Sequence, residues 1–136
     1  MDCNPYHVRL KLTQPHLGYV KDDKIMDFLQ FIETPFFSKQ REILLTEDEF
    51  REFQQELLLN PSSGALIVGT GGVRKVRFAI GQKGKSGGVR VIYYYQEPQG
   101  RIWLFTVYPK NQKDTLTNSE KQQFKDVIMQ IKGSVL

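Results

Sequence analysis

The sequence predicts one α+β domain, with an N-terminal strand, a helical hairpin, an antiparallel sheet of about four strands and a C-terminal helix. Residues 70–111 alternate apolar and polar side chains, as strands with one buried face do. Two other segments begin with a capping box, at Thr46 and at Thr117, and continue with apolar residues at helical spacing. A chain of 136 residues with 40% hydrophobic content suits a single domain with its own core.

The first 25 residues differ from the rest of the chain because they show no sustained hydrophobic period and end in the charged cluster Lys-Asp-Asp-Lys. A clean strand pattern begins after Met26, over 28–32. We expect residues 1–25 to be an N-terminal extension, poorly ordered or upstream of the natural start, and residues 26–136 to form the domain. The alternative is a short extra strand over Tyr6–Leu12, where side chains also alternate.

Two helices follow the first strand. Thr34-Pro35 ends that strand and places proline at the first turn of a helix over Phe36–Leu45. The capping box Thr46-Glu47-Asp48-Glu49 begins a second helix, which Asn60-Pro61 ends. Because the junction between them is short, these helices are predicted to form a hairpin.

The remaining elements are separated by residues typical of turns. Glycines 69, 71 and 72, the loop 81–88 and Pro98-Gln99-Gly100 mark the breaks, and Gly133 ends the last helix. The predicted elements are a short extended stretch at Ala65–Val68, strands through Lys75–Ile80, Val89–Tyr95 and Arg101–Tyr108, and a helix from Thr117 to Gly133.

Charge is distributed unevenly along the chain. Residues 33–56 contain seven acids and three bases, whereas residues 74–113 contain nine Lys and Arg and a single acid, Glu97. This asymmetry predicts an acidic, solvated helical face and a cationic sheet face, and a cationic sheet face is suited to hold a polyanion such as nucleic acid. The alternative is a solvated surface with no partner.

Several classes of function are excluded by residue usage. Cys3, His7 and His16 are the only residues of their types, so residues 26–136 contain neither Cys nor His. The domain therefore has no disulfide, zinc site or Cys or His nucleophile, and we expect no metal and no cofactor. The sequence contains neither an apolar run of about 20 residues nor a leader pattern, which indicates a cytoplasmic protein without a membrane partner.

Residues 79–86 match a permissive form of the P-loop pattern, with Ala79 in place of the first glycine. A working P-loop joins a strand to a helix, but the residues after Ser86 have the pattern of a strand. We interpret this segment as a flexible basic hairpin loop that can lie along a phosphate backbone.

Four cations form the candidate catalytic group. Lys75 and Arg77 share one face of a strand, Arg90 lies on the next strand, and Lys110 follows the last one. They can converge on one phosphate if the three strands pair in order. RNA cleavage by its own 2′-OH needs a proton acceptor and stabilisation of charge at phosphorus. Lys75 is the best-placed candidate acceptor, although a carboxylate or a group on another molecule stays an alternative.

Other residues are predicted to contact RNA around this group. Tyr108 offers a stacking surface for an unpaired base, whereas Tyr93 and Tyr95 share the parity of buried valines and are predicted to belong to the core. The predicted additional phosphate contacts are basic residues of the same stretch: Arg74, Lys83, Lys85 and Lys113.

These segments resemble the RelE/ParE superfamily of bacterial toxins, and most closely its HigB branch. The resemblance covers about residues 26–133 and is carried by EDEFREFQQELLLNP, GTGGVRKVRFA, GKSGGVRVIYYY and LFTVYPKN. It implies a curved antiparallel sheet and places the catalytic cations of the family on Lys75, Arg77, Arg90 and Lys110. RelE toxins carry a tyrosine near the C-terminus, but this chain has none after Tyr108, which puts a direct copy of the RelE proton shuttle in doubt.

The resemblance also implies a function. It predicts the toxin of a type II toxin–antitoxin pair, a ribosome-dependent mRNA endonuclease whose partners are mRNA, the ribosome and a helix-turn-helix, HigA-like antitoxin. Operator DNA would be contacted only through the antitoxin complex. The alternatives are a ParE-like gyrase inhibitor and a member that binds RNA or antitoxin without cutting.

Overall fold

The computed structural model describes residues 12–13, 29–80, 87–112 and 115–133. Their order is strand β1 (Leu12–Thr13), strand β2 (Gln30–Glu33), helices α1 (Pro35–Leu44) and α2 (Glu47–Leu59), strands β3 (Ala65–Leu66), β4 (Val73–Phe78), β5 (Val89–Gln96) and β6 (Arg101–Pro109), and helix α3 (Asn118–Gly133). The predicted α+β class is confirmed.

All of these strands join one sheet, in the order β1-β2-β6-β5-β4-β3. The sheet is therefore larger than the four strands predicted, because the two-residue strands β1 and β3 extend its edges. It is also mixed: β2 runs parallel to β6, and every other neighbouring pair is antiparallel. Most of residues 1–25 lies outside the described part of the chain, so their assignment as an extension stays a prediction, as does the strand over Tyr6–Leu12.

The helices begin where the sequence predicted. The Thr34 hydroxyl accepts a hydrogen bond from the N–H of Phe37 and donates one to the carbonyl of Phe105, which ties the start of α1 to β6. Both capping boxes are formed: the hydroxyls of Thr46 and Thr117 each accept from the backbone N–H three residues on, and the glutamate there accepts from the threonine N–H.

Helices cover the sheet on both faces. The predicted apolar stripe of α2 packs into one core cluster, with Val91, Tyr93 and Leu104 of the central strands. The predicted stripe of α3 packs into a second cluster on the opposite face, with Val73, Ile92 and Trp103. Tyr93 is fully buried, as predicted, and Tyr95 packs partly buried against the same cluster. We name these the α2 face and the α3 face of the sheet.

An irregularity in β6 changes which residues share a face. Ile92 pairs with Thr106 but Tyr93 pairs with Leu104, so β6 holds one extra residue opposite this step of β5. Ile102 and Leu104 therefore lie on the α2 face, whereas Tyr108, also even-numbered, packs against the α3-face cluster.

One residue of the predicted acidic helical face lies elsewhere. Glu33 is in β2 and fully buried, and its carboxylate accepts hydrogen bonds from the Ser38 hydroxyl and from Arg41 Nε, at 2.7 and 3.2 Å. Arg41 also donates from Nη1 to Glu47, at 2.9 Å. Glu33 is buried because its strand is interior and a cation from α1 reaches it.

Candidate nucleic-acid interface

Strands β4, β5 and β6 pair in the order that the sequence analysis required. Arg77 lies directly opposite Arg90, and Arg90 lies directly opposite Tyr108. Residues that face each other on neighbouring strands project to the same side, and adjacent strands are about 5 Å apart. These three residues therefore form a cross-strand row on the α3 face.

Two further rows flank this one on the same face. Lys75 is two residues before Arg77 and lies in a row with Ile92 and Thr106. On the other side, the backbone N–H of Lys110 donates to the Gly88 carbonyl at 3.1 Å, which continues the β5–β6 pairing past the strand end. We name the three rows the cationic face: Lys75–Ile92–Thr106, Arg77–Arg90–Tyr108 and Gly88–Lys110.

The cations of this face differ in exposure. Arg77 is exposed, Lys75 and Lys110 are half-buried, and Arg90 is only 8% exposed. Tyr108 is half-buried, with one side against the α3-face cluster. No residue of the three rows is acidic, so an anion that lies over the middle row approaches several cations and no carboxylate of these rows.

A small pocket opens at the end of the cationic face. Its volume is about 100 Å³, and its lining is mainly apolar. Gly88 is closely packed here: a Cβ atom at this position would lie 2.9 Å from the Phe78 carbonyl oxygen. The lining residues are Arg77, Phe78, Ala79, Gly88, Val89 and Lys110.

Arg74 lies apart from the other candidate cations. It pairs with Tyr93 and so projects to the α2 face, where its Nη1 donates to the carbonyls of Ser62 and Gly64, at 3.0 and 2.7 Å. The geometry gives Arg74 a structural role in holding the turn before β3, and its predicted RNA contact stays a prediction.

The remaining predicted RNA contacts fall outside the described residues. Lys83 and Lys85 lie within residues 81–86, and Lys113 lies within residues 113–114. Among the described residues, the strand or α-helix that follows β4 is strand β5, antiparallel to it, whereas a P-loop leads from a strand into a helix.

Tyr108 and Lys110 reach the same face as Arg90 for a reason that the sequence pattern does not predict. Simple alternation along β6 would put Tyr108 with Ile102 and Leu104 on the α2 face. The extra residue in β6 reverses that parity after Leu104. Nothing in the local sequence marks this step, because apolar residues occupy both faces around it.

The described residues contain no group of three or more His, Cys, Asp and Glu side chains placed to hold a metal ion. None of their helices combines the length and the apolar character needed to cross a membrane.

A comparison with known protein families bears on this arrangement. Residues 64–134, slightly more than half of the chain, match the family described as the RelE toxin of the RelE / RelB toxin–antitoxin system. The chain belongs to the RelE toxin family. The match runs from β3 to the end of α3, and so it contains the whole cationic face. Membership of this family implies an antitoxin partner.

Proposed function

We propose that this RelE-family protein is a ribosome-dependent mRNA endonuclease of the HigB-like branch, which inhibits translation by cutting mRNA. One observation carries the proposal: strand register brings Lys75, Arg77, Arg90, Tyr108 and Lys110 onto adjacent rows of one sheet face without an acid among them. Such a face suits a phosphate with an unpaired base beside it.

In the proposed reaction, the 2′-oxygen of one nucleotide attacks the adjacent phosphorus. The new bond closes a 2′,3′-cyclic phosphate, and the bond from phosphorus to the 5′-oxygen breaks. The neutral amine form of Lys75 accepts the 2′-OH proton and becomes an ammonium, and the leaving 5′-oxygen takes up a proton from the Lys110 ammonium or from water. Arg77 and Arg90 stabilise the negative charge that develops on the phosphoryl oxygens. No metal takes part in any of these steps.

Each cation has a distinct position for this chemistry. Arg77 is exposed and can bind the phosphate from solution, whereas Arg90 is 8% exposed and lies between Arg77 and Tyr108. A guanidinium in a partly desolvated site acts more strongly on a nearby anion than one in water, because less solvent screens it. Tyr108 then stacks on a base next to the cleaved bond.

The proposed partners follow from the proposed function as a HigB-like toxin. The ribosome presents the mRNA in an extended conformation, and a helix-turn-helix, HigA-like antitoxin inhibits the toxin by covering the cationic face or displacing an element beside it. Operator DNA is contacted only through the toxin–antitoxin complex.

Expression of the full chain without antitoxin tests this function. We expect growth arrest together with new in-frame mRNA ends in primer extension, and both effects should disappear with Lys75→Ala or Arg90→Ala. Lys39→Ala and Arg51→Ala are matched controls, because these cations are exposed on α1 and α2. Growth arrest with DNA damage and intact transcripts would indicate a ParE-like gyrase inhibitor. Absence of both effects would indicate a member that does not cut RNA.

The role of Lys75 as proton acceptor has its own test. Arginine keeps the positive charge but does not give up its proton in proteins. Lys75→Arg should therefore lower the cleavage rate as strongly as Lys75→Ala, by about 100-fold. If Lys75→Arg retains most of the activity, Lys75 contributes charge only, and the acceptor is another group.

A further inference from the structure

Two lysines of α3 take no part in the chemistry proposed above. Lys121 and Lys125 are four residues apart and so project from the same side of the helix. Like charges at this spacing oppose helix formation. The two acids of the helix bond to other groups: Glu120 accepts a hydrogen bond from a backbone N–H of its capping box, and Asp126 accepts one from Gln122. The pair is therefore a local excess of positive charge.

Both lysine side chains lie against the glycine-rich turn between β3 and β4. A Cβ atom at Gly69 would lie 3.7 Å from Lys121 Cδ, and one at Gly71 would lie 4.0 Å from Lys125 Cγ. These contacts use carbon atoms of the two stems, while Lys125 is exposed and Lys121 half-buried. The ammonium groups therefore lie at the surface beside the turn.

The same turn continues the cationic face along β4. Arg77, Lys75 and Val73 alternate along the α3 face of that strand, and the turn directly precedes Val73. At the other end of the turn, the N–H of Ile67 donates to the Val73 carbonyl, and its side chain packs against the α3-face cluster. The lysine pair therefore extends the cations of this face from Arg77 and Lys75 to the start of β4.

The length of this cationic path indicates the length of the anion that it fits. Gly71 is six residues before Arg77, a distance of about 20 Å at about 3.3 Å per strand residue. Stacked nucleotides advance about 3.4 Å each along a strand, so about six of them span the path, and fewer when the strand is extended. A single nucleotide at the catalytic cations does not reach the lysine pair.

We propose that Lys121 and Lys125, supported by the turn beneath them, form a second contact for the phosphate backbone of the RNA strand, several nucleotides away from the cleaved bond. The contact involves no base and adds affinity by neutralising phosphates. As a part of substrate binding the inference rests on the proposed nuclease function, but RNA binding tests it without any cleavage.

The first test is fluorescence anisotropy of the full chain with a 2′-O-methyl trinucleotide and a 2′-O-methyl dodecanucleotide. These strands lack the attacking hydroxyl and so bind without being cut. Lys121→Gln combined with Lys125→Gln should raise the Kd of the dodecanucleotide about 10-fold at about 0.1 M salt. The slope of log Kd against log salt concentration should fall by about 1–2. The Kd of the trinucleotide should stay unchanged, which also shows that the variant is folded.

Two further variants are matched controls. Lys39→Gln with Arg51→Gln removes the same charge from exposed positions of α1 and α2, and should change the dodecanucleotide Kd by less than about 2-fold. Lys121→Arg with Lys125→Arg keeps both charges and should bind like the wild type. The proposal is overturned if the glutamine pair weakens binding no more than the control pair. Equal wild-type binding of the two RNA lengths, or equal losses for both, would also overturn it.

Translating ribosomes separate this contact from the chemistry. The glutamine pair should raise the toxin concentration for half-maximal cleavage about 10-fold and leave the rate at saturation unchanged, because it removes binding shared by the ground and transition states. Length-dependent RNA binding through Lys121 and Lys125 without any cutting would retain the contact and overturn the nuclease. Cutting combined with RNA binding that ignores the pair would overturn the contact alone.

Discussion

Two buried arginines of this protein lie in opposite surroundings. Arg41 is 6% exposed and Arg90 is 8% exposed. Arg41 donates to the carboxylates of Glu33 and Glu47, and its guanidinium lies 4.0 Å from the centre of the Phe50 ring. Arg90 has Arg77 and Tyr108 as its cross-strand neighbours. Similar burial is therefore found with different neighbours: carboxylates beside Arg41, and another cation directly opposite Arg90.

The surroundings of Arg41 are those of a structural ion network. Burial lowers the pKa of Arg41, but the charge of Glu33 and hydrogen bonds to Glu33 and Glu47 outweigh it and leave the pKa raised. The network joins β2, α1 and α2, three elements that precede the residues of the family match in the sequence. The cationic face, by contrast, concentrates one sign of charge, which disfavours the compact state through self-repulsion.

The largest effects we expect come from replacing each of these two arginines in turn. Arg41→Ala leaves the buried Glu33 carboxylate without its cation and should lower the free energy of unfolding by about 3–5 kcal/mol. The cleavage rate per folded molecule should stay unchanged. Arg90→Ala should lower cleavage by about 100-fold with a smaller loss of stability. Urea unfolding and primer extension measure the two quantities.

A double variant is the control for the first change. Glu33→Gln with Arg41→Met removes both charges and should recover much of the lost stability. A stable Arg41→Ala protein would show that the network contributes little to the fold.

Two variants with effects of intermediate size distinguish the two faces of β4. Arg74 and Arg77 are three residues apart on β4 and project to opposite faces of the sheet. Arg77→Ala should lower cleavage by about 10- to 100-fold at unchanged stability, because the exposed guanidinium has no ion pair with a described residue to lose. Arg74→Ala should lower the free energy of unfolding by about 1–2 kcal/mol at unchanged cleavage, because two carbonyls lose their donor.

The outcome also decides the role predicted for Arg74 from the sequence. If Arg74→Ala weakens RNA cleavage as much as Arg77→Ala, the separation of the two faces is wrong and Arg74 contacts RNA.

The last effect, equal in size to that of Arg74→Ala, concerns Tyr93, the cross-strand partner of Arg74. Its hydroxyl donates to the Pro61 carbonyl at 2.7 Å and accepts from the Gly64 N–H at 3.0 Å. Tyr93→Phe should cost about 1–2 kcal/mol near neutral pH, because the buried Gly64 N–H loses its acceptor. Thermal unfolding of the two proteins measures the difference.

The pH dependence of that difference has a defined sign. Burial raises the pKa of Tyr93 above its ordinary value of 10.0, although the Gly64 hydrogen bond and the Arg74 charge oppose this. A raised pKa means that the native state holds the proton longer than the unfolded chain, so this stabilisation is complete below pH 10 and is lost above it. The stability advantage of the wild type over Tyr93→Phe should therefore shrink above pH 10; a constant difference would show that Tyr93 does not ionise on unfolding.

Local features of the sequence were sufficient for much of the fold. The capping boxes at Thr46 and Thr117 predicted where two helices begin, because a capping box satisfies backbone donors within four residues. The apolar stripes of α2 and α3 and the strands after Gly72 followed from periodicity in the same way. Burial of Glu33 could not be predicted from the sequence. The cation that neutralises it, Arg41, is eight residues further on and lies in the next element, α1.

The cationic face likewise combines features that the local sequence predicts with features that depend on strand pairing. Alternation along β4 places Lys75 and Arg77 on one face of the sheet and Arg74 on the other. The sequence pattern was therefore sufficient to predict that Arg74 lies on the opposite face from these two cations. The parallel pairing of β2 with β6 and the extra residue in β6 were not accessible, because each depends on which strands become neighbours.

By itself, the sequence determined the helices, the strands and a basic segment almost free of acids, because these depend on residues close together in the chain. Only the tertiary structure decided that Arg77, Arg90 and Tyr108 form one row and that Arg41 is neutralised. Both depend on the register and packing of distant segments, which a single-residue shift in pairing would have reversed.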